Sequence, residues 1–86
     1  GFTLEELMHP LPAAVAPHPF RLEGRCIYIE HPAGEVRITL QQSTERRIAS
    51  MVIPCTVVEF GFYGLDAEQR RQFMQRFDLY TQRGGG

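Results

Sequence analysis

A run of strict alternation near the middle of the chain constrains the fold more than any other feature. Residues 35–41 read EVRITLQ, and their apolar positions are Val36, Ile38 and Leu40. A period of two predicts a β-strand with one buried face. Residues 25–30 read RCIYIE, and the turn sequence HPAG separates them from the alternating run. The two segments therefore predict an antiparallel hairpin.

Further strands are predicted on both sides of this hairpin. Residues 20–23 read FRLE and end at Gly24, while residues 46–53 and 56–63 predict a third and a fourth strand after the turn at 42–44. Pro54 lies between these last two and marks a strand end, an edge or a bulge, because proline cannot donate to a strand ladder. In the fourth strand we expect three residues to face inward: Val58, Phe60 and Phe62. Gly61 among them indicates a bulge or a close backbone approach.

Helices are predicted at both ends of the chain. Thr3 and Glu6 have the spacing of a capping box and predict a short helix over 2–8. Residues 9–20 read HPLPAAVAPHPF, and four prolines there predict an extended connector. The residues expected to pin this connector to the core are Leu11, Val15 and Phe20.

The best helix signal lies over residues 66–82. Asp66 is a natural N-cap with Gln69 three residues later, and Gly84 is a natural C-cap. Apolar residues recur at the spacing of a core-facing stripe: Phe73, Met74, Phe77 and Tyr80.

These elements predict one small α+β domain over residues 1–86. An antiparallel sheet of three to four strands carries the C-terminal helix on one face, together with a short N-terminal helix. The predicted parts are a short helix with its Pro-rich connector, the strands, the C-terminal helix and a flexible tail: 1–19, 20–63, 66–82 and 84–86.

Composition narrows the class of protein. A hydrophobic fraction of 43% and a net charge of −1 exclude a disordered tail and argue against a protein that binds polyanions generally. All 9 basic residues are Arg, and the chain has neither Lys nor Asn. Because the codons of Lys and Asn both begin with two adenines, we interpret this bias as that of a high-GC, bacterial genome.

The sequence also indicates the cellular compartment in which we expect the protein. Cys26 and Cys55 are too few for a disulfide framework, so we expect a reducing, cytoplasmic location. No run approaches the length of a membrane-spanning helix, and the early acidic residues Glu5 and Glu6 do not fit a signal peptide. Since the chain begins with Gly1 and not with Met, we expect a tag remnant or an excised fragment.

No motif predicts catalysis, a cofactor or a metal. His9, His18 and His31 each precede proline and lack the spacing of a metal site, so we expect turn residues. Cys55 lies in an apolar run without a local base, which is typical of a buried structural thiol. We therefore expect no enzyme activity, no cofactor and no bound metal.

The sheet face left uncovered by the C-terminal helix is the candidate interaction surface. The residues predicted to lie on it are Tyr28, Arg37, Arg47, Glu59 and Tyr63. For Glu59 we expect an ion pair with Arg37 or Arg47. Such a surface has three interpretations: a protein interface, for which Tyr and Arg are favoured, a partly hydrated face, or a stacking platform for single-stranded RNA.

We therefore predict a non-catalytic protein-interaction module that binds a protein partner or self-associates, for example as a homodimer, through the open sheet face or an edge strand. A weak single-stranded nucleic-acid binder is an alternative, although the charge balance argues against nucleic acid. A second alternative rests on Gly84, Gly85 and Gly86, which resemble the glycine tail of ubiquitin-like proteins and sulfur carriers. That resemblance covers three residues and implies activation of a terminal carboxylate. It differs in that the glycines follow a helix here and a strand in that family.

Overall fold

The fold is an α+β arrangement of one main sheet with helices on one side. The computed structural model describes residues 4–42, 46–48, 51–53 and 56–81, with side chains at 4–41 and 58–81. In chain order the elements are α1 (Leu4–Met8), α2 (Leu11–Val15), β1 (Phe20–Glu23), β2 (Cys26–His31), β3 (Gly34–Gln42), β4 (Arg46–Ile48), β5 (Met51–Ile53), β6 (Thr56–Tyr63) and α3 (Ala67–Thr81). The predicted antiparallel sheet, short N-terminal helix and C-terminal helix are confirmed.

Four antiparallel strands form the main sheet in the order β1-β2-β3-β6. Ile27 lies opposite Ile38, and Ile38 lies opposite Phe60, so the inward residues of three strands form continuous rows. Ile27 and Ile38 are fully buried, whereas Phe60 is half-buried. The alternation in the sequence thus sets the register, because a slip by one residue would expose the whole apolar set.

The helices cover the apolar face of this sheet and complete the core. On α3, the ring of Phe77 meets Phe60 edge-on with 5.0 Å between centroids, and Phe73 meets Phe62 at 6.0 Å. The N-terminal helices add buried Leu7 and other apolar residues to the same cluster. Burial of each large apolar side chain stabilises the fold by about 1.5–3 kcal/mol, so this one layer of contacts holds the sheet and helices together.

The Pro-rich connector contains a helix that the sequence did not predict. Residues Leu11–Val15 form α2, with proline in its first turn. Pro12 is tolerated there because the first turn of a helix needs no backbone N–H donor. The helix ends before Ala16, whose ψ of 143° is typical of a residue preceding proline. As predicted, Leu11 and Val15 are buried in the core.

The prediction of one strand over 46–53 is wrong. Strands β4 and β5 are short and pair with each other in a separate two-stranded sheet, with Ile48 opposite Met51. The fourth strand of the main sheet is instead β1, which was predicted at 20–23. Residues 51–53 are not alternating, so periodicity did not distinguish a long strand from a hairpin. Pro54 and Cys55 lie outside the described residues.

The capping box predicted for the C-terminal helix is confirmed. Asp66 Oδ1 accepts a hydrogen bond from the Gln69 amide at 2.8 Å, and Gln69 Oε1 accepts one from the Asp66 amide at 2.9 Å. Two backbone N–H groups at the start of α3 are thereby satisfied. The other predicted caps, at Thr3 and Gly84, lie outside the described residues.

Candidate interaction surface

A stack of arginine and tyrosine side chains crosses the sheet face that the helices leave uncovered. Arg21, Tyr28 and Arg37 lie directly opposite one another on β1, β2 and β3. The Arg21 guanidinium carbon is 4.4 Å from the centre of the Tyr28 ring, and that of Arg37 is 5.5 Å from it. Arg37 also lies 4.5 Å from the ring of Tyr63 on β6. We call these four residues the Arg–Tyr ladder.

Gly61 makes room for the last ring of the ladder. Gly61 lies opposite Arg37, and a Cβ placed on it would be 3.1 Å from Cε2 and from the hydroxyl of Tyr63. The pairing of β3 with β6 continues through Gly61 without an extra residue, so there is no bulge here. In place of the predicted bulge or close backbone approach, the side chain of Tyr63 lies over Gly61 and keeps 51% of its surface exposed.

Carboxylates on the same strands hold the two arginines of the ladder. Arg21 Nε donates to Glu23, and Arg37 Nε donates to Glu35. These hydrogen bonds raise the pKa of each guanidinium further above its usual value. Because all four side chains are partly or largely exposed, the pairs contribute little to stability. Their effect is to fix where the guanidinium groups lie over the tyrosine rings.

The ion pair expected for Glu59 is not formed with Arg37. Glu59 lies opposite Thr39, and Arg37 is bonded to Glu35 on its own strand instead. The i, i+2 spacing within β3 brings this carboxylate to the same face, and the sequence analysis did not consider it. Arg47, the other expected partner, belongs to β4 in the separate sheet, and its side chain lies outside the described set.

Four of the five predicted surface residues thus share one face: Tyr28, Arg37, Glu59 and Tyr63. The structure does not bring Arg47 to that sheet. The sequence analysis missed Arg21, although its position two residues before Glu23 in a short strand was a usable signal. On the same face, Thr39 donates to Cys26 Sγ at 3.6 Å, and Cys26 raises the pKa of the Tyr28 hydroxyl above its usual value.

The two edges of the main sheet differ in how they are protected. Strand β1 has four residues, follows Pro19 and carries two charges. Strand β6 has eight residues, TVVEFGFY, with no proline and Glu59 as its one charge. Proteins usually shield an edge with short strands, prolines or charges, because its unpaired N–H and C=O groups attract other strands. Among the described strands, none pairs with the outer side of β6.

An apolar cavity of about 240 Å³ lies beside this edge strand, between the sheet and the helices. Val58 and Phe60 of β6 form one wall, and Leu7 and Phe77 contribute from α1 and α3. Val58 and Phe60 are consequently half-buried, whereas inward residues of β3 are fully buried. The core is thus less well covered along β6 than at the centre of the sheet.

The described residues show no grouping suited to a metal ion, and comparison with known proteins gives no match. Within the described ranges, no three His, Cys, Asp or Glu side chains are grouped so as to hold a metal ion. None of the described helices is long and apolar enough to cross a membrane. No protein-family model matches the chain, and no curated protein or solved structure is significantly similar to it.

Proposed function

We propose that the protein is a non-catalytic interaction module that forms a homodimer by pairing strand β6 with β6 of a second copy. The observation that carries this proposal is the long, nearly uncharged outer edge of β6. A second copy satisfies the edge N–H and C=O groups with those of an identical strand, and antiparallel pairing of identical strands closes around a two-fold axis.

The sequence of β6 favours one register for this pairing. With Phe60 on the two-fold axis, Phe60 lies opposite Phe60 of the partner subunit, and Val58 lies opposite Phe62 on the same face. Aromatic and β-branched pairs of this kind stabilise antiparallel strands. On the open face Glu59 lies opposite Gly61, so no like charges meet. A shift by two residues that placed Glu59 opposite Glu59 would set two carboxylates against each other.

Two further features support the dimer. The apolar cavity beside Val58 and Phe60 would be covered by the second copy, which removes half-exposed apolar surface from water. The pairing would also join two main sheets into one of eight strands with a single continuous open face. That face would present two Arg–Tyr ladders to a protein partner, and tyrosine and arginine are favoured anchors in interfaces.

Sedimentation equilibrium and hydrogen exchange test the proposal on the unmodified protein. We expect a reversible monomer–dimer equilibrium. In a lone sheet, alternate amides of β6 face solvent and exchange rapidly. Dimerisation protects them, so their protection rises with protein concentration, while amides of the β1 edge keep constant rates. A strict monomer over the accessible concentration range overturns the proposal.

Opposite charges placed at Gly61 test the register. Gly61→Glu brings a carboxylate opposite Glu59 of the partner subunit and weakens the dimer, whereas Gly61→Lys places an opposite charge there and retains it. Both substitutions displace Tyr63 equally, and Arg37 within the same subunit favours the Glu variant. The effect of the charge on the stability of one subunit is therefore opposite in sign to its effect on the dimer. Adding Glu59→Lys to Gly61→Glu restores the dimer. Equal dimerisation of both single variants contradicts this register.

Stacking of two open faces is the competing mode of self-association. It depends on the ladder, so Tyr28→Ala abolishes it, while the edge-paired dimer survives this change. Tyr80→Ala is the control, because the exposed Tyr80 ring also lies close to an arginine, at 4.8 Å, but on α3. Edge pairing is overturned if the dimer is lost in Tyr28→Ala, is kept in Tyr80→Ala and does not respond to the charge at Gly61. That result assigns self-association to the open face.

The other functions considered from the sequence have less support. The open face carries four carboxylates beside its two ladder arginines: Glu23, Glu30, Glu35 and Glu59. This charge disfavours a polyanion, so single-stranded nucleic acid is a weaker proposal. The glycine tail of the carrier alternative lies outside the described residues. A cytoplasmic location remains the proposal that the two cysteines favour.

A further inference from the structure

A second cavity brings together two histidines that are 13 positions apart in the sequence. It encloses about 140 Å³ between the α2 segment, the turn after β2 and helix α3. The rings of His18 and His31 lie on its wall with 4.9 Å between their centroids. From the sequence alone, each is expected to be a separate turn residue. Chain topology joins them, because the segment after α2 runs alongside the end of β2, where Glu30 N–H donates to the Pro19 carbonyl.

The hydrogen bonding of His31 defines the chemistry that this cavity offers. Its Nδ1 accepts a hydrogen bond from the Ala33 amide at 3.0 Å. In a neutral imidazole the other nitrogen then carries the proton, so Nε2 is a donor. A metal ion needs a lone pair at the nitrogen that binds it, and the free nitrogen of His31 has none in this state. The histidine pair therefore suits a hydrogen-bond acceptor better than a metal.

The remaining polar groups of the cavity are also suited to an acceptor. Arg76 on α3 lines it, and two of its nitrogens, Nε and Nη2, donate to the Ala13 carbonyl at 3.2 and 3.0 Å. This anchor to α2 fixes the guanidinium at the cavity wall. Gln69 and Gln72 add side-chain amides, and none of the described residues that line the cavity carries a carboxylate. The chain has 10 acidic residues, yet none of the described ones that line this cavity balances the charge of Arg76.

The electrostatic effect of this wall is visible in His18. Its pKa lies below the usual histidine value, first because partial burial disfavours the imidazolium and then because His31 and Arg76 add positive charge. Among the described residues, no acidic group contributes to this pKa. A bound anion would oppose the lowering of the pKa, since it would stabilise the charged form of His18.

We propose that the cavity lined by His18, His31 and Arg76 binds a small oxyanion, namely a single phosphoryl group. The guanidinium supplies fixed positive charge, and the two imidazoles supply N–H donors; in His31 the donor is Nε2. The volume is sufficient for one phosphoryl group, and because the cavity opens to solvent, that group is free phosphate or the end of a longer molecule.

An NMR titration of the full chain tests this proposal. Inorganic phosphate is added near pH 6.5, the usual histidine pKa, against a sodium chloride titration of equal ionic strength. We expect saturable shifts of the His18 and His31 ring signals and a rise in the pKa of His18, which chloride does not reproduce. Glycerol phosphate is the second probe: tighter binding than inorganic phosphate indicates a phosphoryl group on a longer molecule. No saturable shift with either probe overturns the proposal.

Two substitutions separate the cavity from general charge effects. His18→Gln and Arg76→Gln each weaken phosphate binding by about tenfold, as expected for loss of one charge-assisted hydrogen bond. Arg71→Gln is the control, because Arg71 lies on the same helix but is bonded to Glu68 and does not line the cavity. Equal weakening in all three variants contradicts a defined site. Since Arg76 also anchors α2, dispersed amide spectra must confirm that the variant is folded.

Discussion

Gly34 lies so close to the backbone of Tyr63 that a Cβ on it would be 1.9 Å from the Tyr63 carbonyl oxygen. This contact joins the start of β3 to the end of β6, where the chain turns towards α3. The obstacle is backbone on both sides, so it cannot be relieved by rotation of a side chain. The two strands approach each other at this point because one of them has no side chain there.

Gly34→Ala is therefore expected to destabilise the protein by about 3 kcal/mol, since strands β3 and β6 must separate locally. Gly24→Ala is the comparison. Gly24 has a φ of 65° but nothing within 4 Å of a Cβ, so only the conformational cost of about 1 kcal/mol applies. Urea unfolding of both variants measures the difference. Equal losses would show that the strands do not approach as described.

Gly61 and Tyr63 are expected to be energetically coupled through the ring that lies over the glycine. Gly61→Val favours extended backbone but displaces the Tyr63 ring from Arg37, so it destabilises the wild-type chain. In a Tyr63→Ala background the ring is gone, and the same substitution becomes neutral or stabilising. A double-mutant cycle should give a coupling of about 1 kcal/mol. Additive effects would place the ring elsewhere.

The reciprocal cap of α3 predicts a local effect on stability. Asp66→Ala removes the acceptor for the Gln69 amide and should cost about 1 kcal/mol. Asp78→Ala serves as the control, because its carboxylate lies near the C-terminal end of α3 and is exposed. A negative charge at this end interacts unfavourably with the helix dipole, so its removal stabilises the helix slightly or has little effect. Thermal unfolding compares the variants, and a cost at Asp78 equal to that at Asp66 would contradict the cap.

His18 predicts how stability depends on pH. Its pKa is lower in the folded state than in the unfolded chain, so the unfolded state binds the proton more tightly. Above about pH 7.5 the group is neutral in both states and contributes nothing. As the pH falls through about 6.5 and below, stability is lost.

His18→Gln should remove this loss. Relative to the wild-type protein, the variant becomes more stable as the pH falls from about 7.5 to about 5. Urea unfolding in phosphate-free buffer measures the difference, and His9→Gln is the control because His9 does not line the cavity. A constant difference between wild type and His18→Gln across this range would show that the folded protein does not disfavour the imidazolium.

Sequence periodicity predicted the parts of the fold in which one local pattern determines one structure. The alternation around Ile38 set the register of β3, and the spacing of Asp66 and Gln69 set the start of α3. The extended connector predicted for the segment that contains α2 was wrong, because it rested on the number of prolines. Pro12 lies in the first turn of α2, where proline is compatible with a helix. Residues 46–53 have no clear period, so their division into two strands was not predictable.

The candidate site was predicted only where it follows from strand alternation. Tyr28, Arg37 and Tyr63 were placed on the open face because each occupies an outward position of its strand. The bond from Arg37 to Glu35 and the meeting of His18 with His31 depend on side-chain conformations and chain topology. Those relationships are not encoded in local spacing, so they required the three-dimensional structure.

The order of synthesis gives the packing of α3 a further meaning. The strands leave the ribosome before α3, whose Phe73 and Phe77 cover the sheet. Until that helix emerges, hairpins such as β2–β3 can form, but α3 does not yet cover their apolar face. Arg76 likewise secures the carbonyl of Ala13 across 63 residues of chain. Completion of the core therefore depends on late, long-range contacts, and until they form the apolar face of the sheet is open to premature association.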